Sequence, residues 1–112
     1  MADRMDSPTL STFMYVFGPG PRPEMASDPD SWTDDDRAIG ARHYAYLSHA
    51  TATGTVLLAG RCTDGAGPAV VIFDAESPDD AHDFMAGDPF IAEGLFTASL
   101  HEFNASLVRS PG

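Results

Sequence analysis

The chain of 112 residues has the length of one domain, so we expect a single hydrophobic core. Its 17 acidic and 6 basic residues give a net charge of −11, which disfavours nucleic acid and anionic membrane surfaces as partners. No apolar run reaches the roughly 20 residues that span a bilayer, no secretion signal opens the chain, and the single cysteine, Cys62, precludes an internal disulfide, so we expect a cytoplasmic protein.

The ordered domain is predicted to begin after a short polar extension. Residues 1–11 lack a periodic pattern and predict a disordered extension to a domain at 12–107, with 108–112 as a polar tail. The run TFMYVF at 12–17 is β-branched and aromatic without polar alternation, which predicts a strand buried on both faces. A long loop rich in proline and glycine follows at 18–32.

A helix is predicted from Thr33, which can cap a first turn of three aspartates. Trp32, just before the cap, is predicted to pack over this helix as a hydrophobic staple, with a role as a pocket lid as the alternative. Apolar and aromatic residues recur at helical spacing and form one face, which includes His43. Gly54 suits the end of the helix, and TVLLAG at 55–60 predicts a second strand.

The second half of the chain predicts a hairpin, a helix and a last strand. The segment at 61–68, RCTDGAGP, has the turn dipeptides of a hairpin loop, and AVVIFDA at 69–75 predicts the third strand. Ser77 is the expected cap of a second helix that Gly87 ends. After a short turn, FTASLHEFN at 96–104 predicts the fourth strand.

The order strand, helix, strand, strand, helix, strand predicts an α+β domain of the ferredoxin-like βαββαβ type. In that fold a four-stranded antiparallel sheet carries both helices on one face. Both alternating sets of side chains in the first and third strands are apolar, so the open face also needs a cover. A second copy of the chain is the simplest cover, and we predict a homodimer formed sheet against sheet.

Four motifs resemble those of the YciI-like, or YCII-related, proteins. They are HYAYL at 43–47, LLAG at 57–60, SPDDA at 77–81 and DPFIAEGLF at 88–96, in an order and spacing that extends the resemblance over about 13–103. The resemblance implies a ferredoxin-like fold assembled into a dimeric α/β barrel. That fold agrees with the order of the predicted elements.

The resemblance also implies a site, a His–Asp pair that maps to His43 and Asp88. Some members of the family resemble small catabolic enzymes that act on substituted hydroxylated aromatic compounds, such as dehydrochlorinases, but most have no assigned activity. This chain departs from the family pattern at Gly40, where members commonly carry an arginine, and Arg42 stands beside the histidine instead. The loop at 18–32 is also longer than usual.

Both members of this pair also have a purely structural interpretation. Gly87 can end a helix, Asp88 can cap the next turn and Pro89 can take its first position. Capping leaves other lone pairs of the carboxylate free, so Asp88 can also accept a hydrogen bond from an imidazole. His43 is equally compatible with a packed core histidine and with an acid–base residue.

Three further residues are candidates for contact with a ligand. Tyr15 can offer a phenol from the first strand, Arg42 a charge beside the histidine, and His101 an imidazole in the dimer cavity or at a solvent edge. No spacing matches a zinc or calcium site, and the glycine-containing loops are interrupted by proline. We therefore expect neither a metal nor a cofactor.

Two functions remain open from the sequence. In the first, His43 and Asp88 move a proton in a lyase, isomerase or dehalogenation-like reaction on a small hydroxylated or aromatic compound. In the second, the protein is a non-catalytic small-molecule-binding or accessory module. A hydrogen bond between the two side chains beside an open pocket favours the enzyme.

Overall fold

The computed structural model describes residues 10–109. Within them the elements are β1 (Ser11–Gly18), α1 (Asp34–Ala52), β2 (Val56–Arg61), β3 (Ala69–Ala75), α2 (Pro78–Gly87), α3 (Pro89–Ala92) and β4 (Thr97–Glu102), with 3₁₀ turns at Pro23–Ala26 and Pro29–Ser31. The predicted N-terminal extension and C-terminal tail fall mostly outside the described residues, and Ser11 belongs to β1 rather than to the extension. None of the helices in the described range is long and apolar enough to cross a membrane.

The four strands form one antiparallel sheet in the order β2–β3–β1–β4. Tyr15 of β1 lies opposite Val71 of β3 on one side and Leu100 of β4 on the other, at the centre of the sheet. The ferredoxin-like fold predicted from the sequence is therefore confirmed. Predicted boundaries agree with the observed ones to within two residues, except that the turn predicted after Gly87 is the short helix α3.

The helix-facing side of the sheet forms the core. Phe13, Tyr15, Val71 and Phe73 are each at most 1% exposed and alternate with residues of the other face, as the two-residue period of a strand requires. The helices contribute Leu47 and Ala50 from α1 and Ala81 and Met85 from α2. Aromatic rings make up much of this layer, with Tyr15 and Phe73 meeting edge to face at 5.7 Å.

The opposite side of the sheet, the open face, has no cover within the described chain. Its central side chains are apolar: Met14 and Val16 of β1 and Val70 and Ile72 of β3 are half-buried, and Leu58 of β2 is 59% exposed. The prediction that β1 is buried on both faces is therefore wrong for the single chain, because the helices cover only one of them.

The start of α1 is held by a capping box and an ion pair. Thr33 Oγ1 accepts the Asp36 N–H at 3.1 Å, while Asp36 Oδ2 accepts the Thr33 N–H at 2.8 Å. Arg22 donates to the remaining oxygen of Asp36 at 2.6 Å, and this hydrogen bond is the main cause that lowers the pKa of Asp36 well below its usual range. The pair therefore ties the long loop to the helix.

The loop between β1 and α1 is also packed against the chain that follows α3. A Cβ at Gly20 would lie 2.0 Å from the backbone oxygen of Leu95, so this position requires glycine. Trp32 donates its indole N–H to the Met25 carbonyl at 2.9 Å, and its ring meets Phe90 at 5.8 Å. The loop thereby brings Trp32 close to the first residues of α3.

Candidate active site at His43 and Asp88

Asp88 lies where α2 ends and α3 begins. Its backbone leaves the helical region at φ −62° and ψ 125°, and its carboxylate accepts the N–H of Phe90 at 3.0 Å. Pro89 occupies the first position of α3, where a missing N–H has no cost. The cap predicted from the Gly–Asp–Pro sequence is confirmed.

The same carboxylate is fully buried and accepts two further hydrogen bonds. Asp88 Oδ1 lies 2.7 Å from His43 Nδ1, and Oδ2 accepts the Tyr15 hydroxyl at 2.8 Å. An ionised carboxylate is an acceptor only, so the convergence of three donors matches the ionised form. We assign the proton of the histidine contact to Nδ1 on this basis.

His43 reaches this carboxylate from the inner stripe of α1. Its ring stacks on Phe90 with centroids 3.9 Å apart and meets the edge of Phe17 at 5.8 Å, and its side chain is 19% exposed. Within residues 10–109 Nε2 has no hydrogen bond, and no fully buried side-chain nitrogen or oxygen there lacks a partner, so Nε2 retains some exposure to solvent. One nitrogen of the ring is thus held and the other is free.

Tyr15 differs from its predicted role. It is 0% exposed and its hydroxyl is donated to Asp88, so the prediction that it contacts a ligand is wrong for this structure. Burial first, and then the charge of Asp88 and the hydrogen bond to it, raise the pKa of the phenol far above its usual value. The Tyr15 hydroxyl therefore holds the Asp88 carboxylate in place and is not presented at the protein surface.

The other two predicted ligand contacts lie on different sides of the sheet. Arg42 precedes His43 on α1, is 58% exposed and lies 3.6 Å from Glu93. His101 of β4 pairs with Met14, which places it on the open face. The structure therefore brings Arg42 next to the pair, whereas the sheet separates His101 from it within one chain.

Two residues that the sequence did not single out complete the site. Phe90 stacks on His43 and supplies the N–H that Asp88 accepts, and its place two residues after a cap was the signal that could have identified it. Tyr46 donates to the Phe84 carbonyl at 2.7 Å, and its hydroxyl lies 2.7 Å from where a Cβ at Gly87 would be. A side chain at position 87 would therefore crowd the Tyr46 hydroxyl. The end of α2 does not itself require glycine, because Gly87 is the last helical residue and its φ is not positive.

An open groove, here called the α1 groove, lies on the flank of α1 that faces Phe84 of α2 and Pro89 of α3. Its volume is about 610 Å³, and it is lined by Arg42, Ala45, Tyr46, His49, Ala50, Thr53, Thr55, Phe84 and Pro89. His43 is not among these residues. In the described range no group of three or more His, Cys, Asp or Glu side chains is placed to bind a metal.

The sequence match to a known family covers both members of the pair. The model of the YCII-related domain matches residues 22–103, which is well over half of the chain. The chain belongs to the YCII-related family. No significant match to a curated protein was found. In this YCII-related protein the matched region begins after β1, so Tyr15, the second side chain that contacts Asp88, lies outside it.

Gly40 and the long loop, the two features at which the resemblance implied a departure from the family pattern, belong to one arrangement in this YCII-related protein. A ring atom of Trp32 lies 3.5 Å from the position of a Cβ at Gly40, and Phe90 lies 3.7 Å from it. Trp32 thus packs over α1, as predicted. A long side chain at position 40 would displace Trp32 or Phe90, and Phe90 is the ring on which His43 stacks.

The substitution Asp88→Asn removes the charge of the buried carboxylate and leaves an oxygen that can still cap α3. Asp88→Asn retains a good helix cap. It presents an N–H₂ group, however, at a place where two side-chain donors and a backbone N–H converge. The substitution should therefore lower the free energy of unfolding by about 1–3 kcal/mol. Urea unfolding at pH 7 measures the difference. Asp80→Asn, in the exposed first turn of α2, is the control. A cost equal to that of the control would contradict the assigned hydrogen bonds.

The raised pKa of Tyr15 makes stability fall at alkaline pH. The contribution of Tyr15 to the free energy of unfolding is fully present below about pH 10, which is the pKa of an unfolded tyrosine. Above that pH the contribution falls by about 1.4 kcal/mol per pH unit, because the phenol ionises in the unfolded chain and not in the folded one. Tyr15→Phe should reduce the slope by that amount in urea unfolding between pH 8 and 11. Tyr44→Phe, which removes a phenol that is 76% exposed, is the control. An unchanged slope for Tyr15→Phe would contradict the prediction.

Proposed function

We propose that this protein is a small cofactor-independent enzyme in which His43 takes a proton from a small hydroxylated or aromatic compound. The observation that carries the proposal is the 2.7 Å contact between His43 Nδ1 and the fully buried Asp88, together with an Nε2 that has no hydrogen bond within the described residues and retains some exposure to solvent. Because the proton is held on Nδ1, the lone pair of Nε2 is available to a substrate. A general base requires this tautomer.

In the proposed mechanism the substrate proton passes to Nε2 and an imidazolium forms. Asp88 stabilises that cation because its carboxylate lies in direct contact with Nδ1, while Tyr15 and the Phe90 N–H hold the carboxylate in place. The electron pair left on the substrate then forms a double bond and expels a leaving group, which departs with its own bonding pair while Nε2 releases its proton to water. In an isomerisation the pair shifts within the molecule, and Nε2 returns the proton at a different atom. These outcomes correspond to a lyase, dehalogenation-like or isomerase reaction.

A non-catalytic binding or accessory module is the alternative, and one observation favours it. The lining of the α1 groove includes Arg42 and Pro89, the neighbours of the pair, but not His43 itself. A ligand can therefore be held in this groove without meeting Nε2. The contact with Asp88 would then serve to fix α1 against α3.

The enzyme proposal is tested by removing the base. A panel of hydroxylated and halogenated aromatic compounds is incubated with the protein in D₂O, and NMR records both deuterium incorporation and product. His43→Gln should lower the rate for every active compound by about 10²–10⁴-fold, the usual contribution of a general base. His82→Gln, an exposed histidine on α2 that does not line the α1 groove, should leave the rate unchanged. Equal rates for wild type and His43→Gln would show that the site is assigned wrongly.

We also propose that the protein is a homodimer formed through the open face. The support is the continuous apolar surface that Met14, Val16, Val70 and Ile72 present without a cover in the described chain. Such a surface is costly to leave in water, and a second copy brings an identical apolar patch around a two-fold axis. His101, on the same face, would then lie in or beside the interface.

The dimer proposal predicts the mass in solution. Sedimentation or light scattering at micromolar concentration should give twice the 11.9 kDa of the chain. Ile72→Lys should give a folded protein of single-chain mass, because it places a charge in the centre of the open face. Tyr44→Lys, on the exposed side of α1, should stay dimeric. A wild-type protein of 11.9 kDa would contradict the proposal.

We further propose a cytoplasmic location. Cys62 is a free and exposed thiol. A thiol of this kind stays reduced in the cytoplasm, whereas an oxidising compartment favours its pairing with other thiols.

A further inference from the structure

The α1 groove combines a rigid apolar wall with a weakly paired cation. We infer that it binds a small organic monoanion with a single ring, whose acid group pairs with Arg42 and whose ring lies against Tyr46, Phe84 and Pro89. The identification of this anion as the substrate rests on the proposed function, whereas its binding does not. The inference thus adds a substrate class to the proposed site.

The apolar wall of the groove is formed before any ligand binds. Tyr46 stacks on Phe84 with centroids 5.1 Å apart and an interplanar angle of 26°. The hydroxyl of Tyr46 is donated to the Phe84 carbonyl and packs against Gly87, so the ring cannot rotate freely. The groove therefore presents ring surface and the side of Pro89, which suits a flat apolar ligand.

The acid group is assigned to Arg42 because its present partner holds it weakly. Arg42 lies 3.6 Å from Glu93, and both side chains are about half exposed, whereas Arg22 lies 2.6 Å from a buried Asp36. An exposed ion pair of this length contributes little to stability, so a ligand carboxylate can replace Glu93 at small cost. In a chain of net charge −11, an anion is attracted only where a cation is accessible.

The Arg42 end of the groove places one ring against the apolar wall. Arg42 and His49 are seven residues apart on α1, which corresponds to about 10 Å of helix, and the groove continues beyond His49 to Thr53 and Thr55. Ala45 lies between them and leaves the space above the helix unfilled. At the far end, His49 and Thr53 offer hydrogen-bonding groups to a hydroxyl on the ring.

The groove also adjoins the proposed base. Arg42 directly precedes His43, and Pro89 directly follows Asp88. The groove is thus lined by the chain neighbours of His43 and Asp88, although not by His43 itself. The bound anion would be a substrate of the proposed base only if part of it extends from the groove to Nε2.

The probe for the experiment is benzoate, with benzamide as the uncharged analogue of the same shape. Both are titrated into ¹⁵N-labelled protein at pH 7 and low salt, and amide shifts give the location and the Kd. Benzoate should shift the resonances of Ala45, Phe84 and their neighbours, and it should bind about tenfold more tightly than benzamide, the scale of one charge-assisted contact.

Two substitutions change the affinity in opposite directions. Arg42→Gln should weaken benzoate binding about tenfold, while Glu93→Gln should strengthen it a few-fold because the competing carboxylate is gone. Arg37→Gln, which removes an exposed arginine paired with Asp34 on the same helix, should have no effect. Loss of binding in Arg42→Gln together with a gain in Glu93→Gln cannot result from unfolding.

The outcomes separate this inference from the proposed function. His43→Gln should bind benzoate with unchanged affinity, so the binding result does not depend on whether the protein turns over a substrate. The inference is wrong if benzoate binds Arg42→Gln and wild type equally, if benzamide binds as tightly as benzoate, or if the shifted resonances lie on the open face of the sheet. Absence of any shift at saturating probe would also overturn it.

Discussion

The part of the domain that carries the candidate site depends on the hydrogen bonds to the buried carboxylate of Asp88. Its two oxygens accept hydrogen bonds from β1, through Tyr15, from α1, through His43, and from the first turn of α3, through the Phe90 N–H. A buried charge is tolerated only when it is hydrogen-bonded in this way. One side chain therefore sets the position of a strand and a helix relative to the start of α3.

Aromatic packing connects the residues around Asp88 to the long loop between β1 and α1. Phe90, fixed by its N–H to Asp88, stacks on His43 and also meets Trp32, which the loop carries over Gly40. Arg22 holds the other end of the loop through Asp36. The surroundings of the histidine thus combine residues of the helices with residues of the long loop between β1 and α1.

Local patterns were sufficient to predict the fold and the caps. The alternation in β1 and β3, the Thr33 cap and the Gly–Asp–Pro junction depend on neighbours in sequence, and each was found where predicted. The site also depends on long-range contacts. The Tyr15 hydroxyl meets Asp88 across 73 positions of chain, so its choice of partner was not visible in the sequence, and its predicted ligand contact was wrong. His101 was placed on the open face by strand register, which is fixed only when the strands pair.

The structural role of Asp88 affects how related sequences can be compared. The residue caps α3 and accepts hydrogen bonds from Tyr15 and His43, so it would stabilise this fold in a chain with no chemistry at the site. His43 is one of several donors to that carboxylate, whereas Asp88 is the acceptor that all of them share. Retention of the aspartate in a related sequence is therefore explained by packing, and by itself it is no sign of activity.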